Sequence, residues 1–203
     1  MIGPIYAITD PDAPLCVAEQ ARAAARGGAW AVQIRDKRAS DAALAALVAA
    51  LLPEMTALGV KLIVNDRTTV AVETGAHGLH IGQGDGDPVA IRARIGPEMM
   101  LGLSVETEAH AARTPPGVDY VGAGPVRATA SKPDHATPIG FDGLARLVRV
   151  APAPAVAIGG LGLGDAAAVK GAGAAGMAVV SAISRAPDPE AATRALVDAW
   201  RRA

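Results

Sequence analysis

Eight short runs rich in β-branched residues, alanine-rich helical stretches between most of them, and near-continuous apolar character within the runs predict a minimal (β/α)8 TIM barrel of the α/β class over 203 residues. Parallel strands covered on both faces read this way because neither face meets water. An open, doubly wound sheet is the alternative the same alternation allows. At this length roughly 70% of the unfolded surface is buried on folding, so one core is sustainable. No linker or internal repeat beyond the alternation appears, and residues 1–203 read as a single barrel domain.

The runs are Ile5–Thr9, Ala31–Arg35, Lys61–Asn65, Gly78–Ile81, Met99–Ser104, Asp119–Gly122, Ala155–Ile158 and Met177–Val180. Helix start and stop signals fall between them. Ser40-Asp41 opens a helix that Gly59 closes, a second spans Arg67 to Glu73, and Asp87-Pro88 opens another that Gly96 closes. Asp165 opens a helix ending near Gly171, and Asp188-Pro189 opens the last. The one long irregular stretch, Arg127 to Gly140, follows the sixth strand and carries Lys132. A loop of this length inside a compact domain is expected to be a functional lid or binding loop.

Composition removes several classes of function. A net charge of −1 and five aromatic residues provide neither the field nor the stacking platforms that nucleic acid needs, and no charge for an acidic membrane surface. The apolar run at Leu44 to Leu52 is far short of the roughly 18 residues of a membrane span. The first four residues lack a basic stretch leading into a secretory signal, so the expected location is cytoplasmic. Cys16 is alone, which excludes an intramolecular disulfide and a cysteine metal cage, and its place in an alanine-rich stretch makes it a small buried hydrophobe. The four histidines show no ligand spacing, and His80, alternating within the fourth strand, reads as a core or supporting residue. Gly171 to Gly176 spells GxGxxG but follows a helix and precedes a strand, the reverse of a dinucleotide fingerprint.

Barrel active sites form where strands end and helices begin. Gln33, Arg35 and Lys37 are spaced i, i+2, i+4 and share a face, with Val32 and Ile34 pointing into the helical shell. Two cations on the barrel side are costly without an anionic partner. The third strand ends in Asn65-Asp66 and the fourth leads into Gly82-Gln83-Gly84-Asp85. Two carboxylates on adjacent strand ends beside basic residues suit Mg²⁺ shared with substrate phosphates. The competing roles are a turn for Asp85 and a helix cap for Asp66. Gly159-Gly160 after the seventh strand and Val180-Ser181 after the eighth match the place where barrels bind phosphate through backbone N–H groups. A pair of tight turns is the plainer reading.

At these residues the chain resembles the thiamine phosphate synthase family. The matching pieces are Val32–Lys37, Val64-Asn65-Asp66, His80–Asp85, Gly102-Leu103-Ser104, Gly124-Pro125-Val126 with Thr129–Lys132, Ala157–Gly160 and Val180–Ile183, in the family's order along nearly the whole chain. The resemblance implies condensation of 4-amino-2-methyl-5-(diphosphooxymethyl)pyrimidine with 4-methyl-5-(2-phosphooxyethyl)thiazole, or its carboxylated form, releasing diphosphate. It implies that Gln33, Ile34, Arg35, Asp36, Lys37, Asn65, Ser104 and Lys132 bind the pyrimidine diphosphate, with Arg35, Lys37, Ser104 and Lys132 catalytic. By the same resemblance, Thr129, Ala130, Ser131, Gly160, Val180 and Ser181 bind the thiazole phosphate, and Asp66 and Asp85 hold Mg²⁺. Its partners are then two small-molecule substrates, with no nucleic acid or membrane and with homo-oligomerisation left open.

Ser131 stands where many members carry threonine and keeps the hydroxyl. The sequence begins almost at the first strand, without the leading segment of some relatives, which leaves closure of the barrel bottom open. Two other functions share part of the pattern. A metal-independent thiazole tautomerase of the same family keeps the phosphate site but differs at the metal positions, and Pro125 sits where such sequences tend to have histidine. A non-catalytic thiamine phosphate binding protein needs no pair of carboxylates. Asp66 and Asp85 together favour the synthase.

Overall fold

The structure, a computed structural model, describes residues 2–131 and 136–203. Eight parallel strands close into a barrel in sequence order: β1 (Ile5–Ile8), β2 (Ala31–Ile34), β3 (Lys61–Asn65), β4 (Gly78–Ile81), β5 (Met100–Val105), β6 (Tyr120–Ala123), β7 (Ala155–Ile158) and β8 (Gly176–Val179). β1 pairs with β8, so no strand edge is left open. The fifth and sixth strands begin and end one residue later than the sequence pattern predicts, and the eighth one residue earlier.

The helices are α1 (Val17–Arg26), α2 (Asp41–Ala57), α3 (Thr68–Thr74), α4 (Pro88–Ile95), α5 (Glu108–Ala112), α6 (Gly140–Val150), α7 (Ala166–Gly171), α8 (Ser181–Ser184) and α9 (Pro189–Arg202). Their starts follow ordinary capping chemistry. The Ser40 hydroxyl accepts from Ala43 N to open α2, and the Asp87 and Asp188 carboxylates accept from Ala90 N and Ala191 N to open α4 and α9, each with proline in the first turn. No helix among the described residues is long and apolar enough to cross a membrane.

Cys16 departs from expectation. It is the exposed N-cap of α1 rather than a buried hydrophobe inside it, because the helix starts only at Val17. Its backbone N–H donates to the Glu19 carboxylate.

Strand alternation sorts the apolar residues into two cores. Val32, Ile34, Leu62, Val64, Leu79, Ile81, Leu101 and Val121 point outward and pack beneath the helices. Tyr6, Ile8, Ala31, Ile63, Tyr120, Val156 and Ala178 fill the barrel itself. Trp30, just ahead of β2, packs edge-on against Tyr6 and Tyr120, with ring centroids 5.9 and 6.3 Å away, and closes the bottom. Gly3 lies against it, and a β-carbon there would strike the indole.

The interior is filled by alternating large and absent side chains. Gly102 on β5 and Gly122 on β6 lie beside His80 and Tyr120, and a β-carbon on Gly102 would overlap both rings. Tyr120 is fully buried and His80 nearly so. Overpacking a filled core costs about 1–3 kcal/mol. Gly102→Ala is therefore expected to lower unfolding stability by about that amount in urea titration. Gly171→Ala, at an exposed position with open space around it, should stay within about 0.5 kcal/mol of the parent chain.

Candidate active site

Most of the sequence-predicted residues converge at the C-terminal mouth of the barrel. One pocket is lined by Gln33, Arg35 and Lys37 from β2 and its loop, Asn65 and Asp66 from β3, Asp85 after β4, and Ser104 from β5. The opposite wall carries Thr129, Ser131, Gly160, Val180 and Ser181. Strand parity explains the convergence: Gln33 pairs in register with Ile8 and Ile63, and Asn65 with His80, so all of these share the inner face.

Three predicted residues stand apart from the pocket wall. Ile34 is fully buried in the layer beneath the helices. The Asp36 carboxylate accepts from Arg38 N and Ala39 N and shapes the turn after β2. Ala130 lies in the loop between two lining residues. Lys132, and with it the predicted lid function, lies outside the described residues.

The acidic and basic groups sit on neighbouring loops. Asp66 holds a left-handed backbone, φ 49°, which a non-glycine residue adopts only where its surroundings impose it. It does not cap the helix that follows: Arg67 is the N-cap of α3, with no side-chain cap bond. One Asp66 oxygen accepts from Arg67 Nε at 3.2 Å, and Arg67 also pairs with Asp41 and donates to the Lys37 carbonyl. Arg67 thus ties the loop after β2 to the loop after β3. One Asp85 oxygen accepts from Gly82 N at 2.6 Å, which closes that loop on itself, and Asp85 lines the pocket. Arg35 and Lys37 form no ion pair with any other described residue. Among the described residues no group of three or more His, Cys, Asp or Glu side chains is placed to enclose a metal ion.

The wall opposite β2 and β3 is shaped by backbone turns. Gly160 has φ 63°, and a β-carbon there would meet Ala128 O at 2.7 Å. Arg127 clasps Asp165 through both guanidinium Nη atoms, at 2.7 and 2.8 Å, and the same carboxylate accepts from Gly162 N. The Arg127 guanidinium also lies 5.1 Å from the Phe141 ring centre. The loop after β6 is thereby fixed against the turn after β7.

Below the mouth runs a chain of polar groups. Gln33 Nε2 donates to Tyr6 Oη at 2.8 Å, Tyr6 Oη lies 2.9 Å from Tyr120 Oη, and Tyr120 Oη lies 3.0 Å from His80 Nδ1. His80 Nε2 then lies 3.0 Å from Ser104 Oγ. Burial pushes the His80 imidazole down to about 4, partly offset by the charge of Asp85. Burial likewise pushes both phenols above their ordinary value, so histidine and tyrosines alike are neutral near pH 7.

Sequence reasoning placed His80 as a supporting residue and left Tyr6, Tyr120 and Glu106 out of the site. Glu106 lines the pocket two residues beyond Ser104, and extending the strand-five alternation by one step would have found it.

A (β/α)8 barrel with two carboxylates and two cations gathered in one pocket at its mouth is the class this geometry defines. A sequence model described as thiamine monophosphate synthase matches residues 5–183. The thiamine-phosphate synthase of Roseiflexus sp. (strain RS-1) is 47% identical over 197 residues, covering 96% of this chain and 84% of that protein. That of Solidesulfovibrio magneticus is 52% identical over 175 residues, covering 85% of this chain and 82% of that protein. Among solved structures, thiamine phosphate pyrophosphorylase from Pyrococcus furiosus superposes with a TM-score of 0.89 at 31% identity, covering 98% of this chain and 96% of that one. The chain belongs to the thiamine monophosphate synthase family. Its activity is that of a thiamine-phosphate synthase, a transferase.

The depressed His80 value has a consequence for stability. The unfolded chain takes up this proton near the ordinary value of 6.5, whereas the folded chain resists it down to about 4. This group's share of stability is therefore complete above pH 6.5, falls as the pH drops through that window and levels off below about 4. At about 1.36 kcal/mol per unit the loss approaches about 3 kcal/mol. His77, whose value burial also lowers, adds to it in the same direction. NMR titration should show a His80 imidazole still neutral at pH 5.5, with the unfolding free energy declining over that window.

Proposed function

We propose that the chain catalyses a Mg²⁺-dependent condensation of the aminopyrimidine methyl diphosphate with the thiazole phosphate, using the pocket residues in the roles the family resemblance implies. The observation that carries this reading is that Asp66 and Asp85 flank one pocket with Arg35 and Lys37. Asp66 is not spent on capping, and Asp85 keeps one oxygen clear of its turn bond. Two carboxylates without a third protein ligand suit a cation that completes its octahedron with water and substrate oxygens. Bound there, Mg²⁺ would neutralise charge on the diphosphate oxygens.

The chain's own residues supply the rest. Arg35 and Lys37, with Lys132 by resemblance, draw the diphosphate to the β2 side and stabilise the negative charge that grows as its C–O bond breaks. Gln33, Asn65 and Ser104 hold the pyrimidine ring over the barrel axis. Heterolysis leaves a methylene cation stabilised by that ring, and the thiazole nitrogen attacks it, so no nucleophilic side chain is required. The Gly160 turn, Thr129, Ser131 and the Val180-Ser181 end of β8 hold the thiazole phosphate and orient its nitrogen. Substrates of this kind, small and phosphorylated, support a cytoplasmic location.

Steady-state assay of diphosphate release with both substrates tests the reading. Asp66→Asn and Asp85→Asn are each expected to lose most of the activity while the unfolding transition survives, and excess chelator should abolish turnover. Full turnover in chelator would overturn the metal assignment. Gly160→Ala pushes a methyl into Ala128 O and disturbs the phosphate-facing turn. It should raise the KM for thiazole phosphate roughly tenfold, the effect of a hydrogen bond to a charged group, with the pyrimidine diphosphate KM little changed.

A further inference from the structure

Gln33 and Ser104 lie on β2 and β5, and four hydrogen-bond links through Tyr6, Tyr120 and His80 connect them across the barrel. Tyr6, Gln33 and Tyr120 are at most 2% exposed and His80 is 8% exposed, so water has little access to the chain's interior. Each link needs one proton between its two heavy atoms. Each phenol carries one proton, and the neutral imidazole carries one on either nitrogen.

Only two arrangements fill all four links and also use the proton of each buried phenol and of the imidazole. In the first, Gln33 donates to Tyr6, Tyr6 to Tyr120, and Tyr120 to His80 Nδ1. His80 then carries its proton on Nε2 and donates it to Ser104 Oγ, which leaves the serine proton to point into the pocket. In the second, every proton is reversed: Ser104 donates to His80 Nε2, and the run ends with Tyr6 donating to a Gln33 carboxamide turned by half a rotation. Any mixed arrangement leaves a buried donor or acceptor without its partner. The hydrogen-bonding faces of Gln33 and Ser104 therefore switch together or not at all. Gln33 Nε2 lies against Tyr6 Oη, the carboxamide orientation that the first arrangement requires.

We infer that Tyr6, Tyr120 and His80 are positioning residues that fix one donor–acceptor polarity at the pyrimidine end of the pocket: Ser104 donates, and the Gln33 carboxamide oxygen accepts. The ligand half that fits offers an acceptor to Ser104 and a donor to Gln33, which a ring nitrogen and an exocyclic amine provide together. The space for the relay is built into the fold, since Gly102 and Gly122 leave room that a β-carbon would take from the His80 and Tyr120 rings. The inference rests on the proposed assignment of Gln33 and Ser104 to the pyrimidine substrate.

The test is ¹⁵N NMR of the histidine rings in the intact protein at neutral pH, combined with kinetics of Tyr120→Phe, which keeps the ring and removes the link. The wild-type chain should show His80 protonated on Nε2 alone, and Tyr120→Phe should show both tautomers. The variant should raise the KM for the pyrimidine diphosphate roughly 2- to 10-fold, the effect of one neutral hydrogen bond, and leave that for thiazole phosphate unchanged. A wild-type proton on Nδ1 overturns the inference even if Tyr120→Phe fails to fold. Equal KM changes for both substrates, or none for either, reduce Tyr120 to a core residue and overturn it too. Absence of diphosphate release by the wild-type chain would instead count against the proposed function, and the NMR result would still decide the polarity of the relay.

Discussion

Closure of eight short strands into a barrel leaves an interior of fixed girth, and the contents of that interior govern the rest of the molecule. Tyr6 and Tyr120 cross it from opposite sides and meet hydroxyl to hydroxyl, with Trp30 edge-on beneath both. Two phenols and an imidazole fit only because β5 and β6 offer glycine where other strands offer side chains. The same groups are polar, so they must be paired in a space that excludes water. Pairing them produces the line from Gln33 to Ser104 that forms the floor of the active site.

Above that floor the loops are held by side chains that never face the pocket. Arg67 ties the turn after β2 to the strained Asp66. Arg185 donates twice to Asp10, whose backbone N–H in turn donates to Gln20, so the end of β1 is braced against α1 and the end of α8. Arg127 and Asp165 do the same between β6 and β7. These pairs are part-exposed, so their worth in global stability is small. Their effect is to fix where neighbouring loops stand relative to one another. Arg35 and Lys37 are left out of this bracing and line the pocket without an ion pair to any other described residue.

Much of this was legible in the sequence because strands and barrels impose local rules. Period-two alternation put Gln33 on the inner face and Val32 and Ile34 on the outer one, and the structure keeps that division. Capping chemistry located α2, α4 and α9, since Ser40, Asp87 and Asp188 act on backbone groups two or three residues away. Cys16 shows the limit of such reading: composition alone assigned it to a helix interior, whereas the chain turns helical one residue later.

By itself the sequence determined the alternation of eight strands with helices and the set of polar residues gathered at the strand ends, because each follows from patterns only a few residues long. The tertiary structure alone decided which of those residues touch. His80, Tyr120 and Ser104 stand on β4, β6 and β5, and their contact depends on the register of β5 against both neighbours and on the bare backbone at Gly102 and Gly122. Tyr6 and Gln33 join them only because the barrel closes and brings β1 opposite β6. Register and closure are properties of all eight strands at once, and no local run of residues carries them.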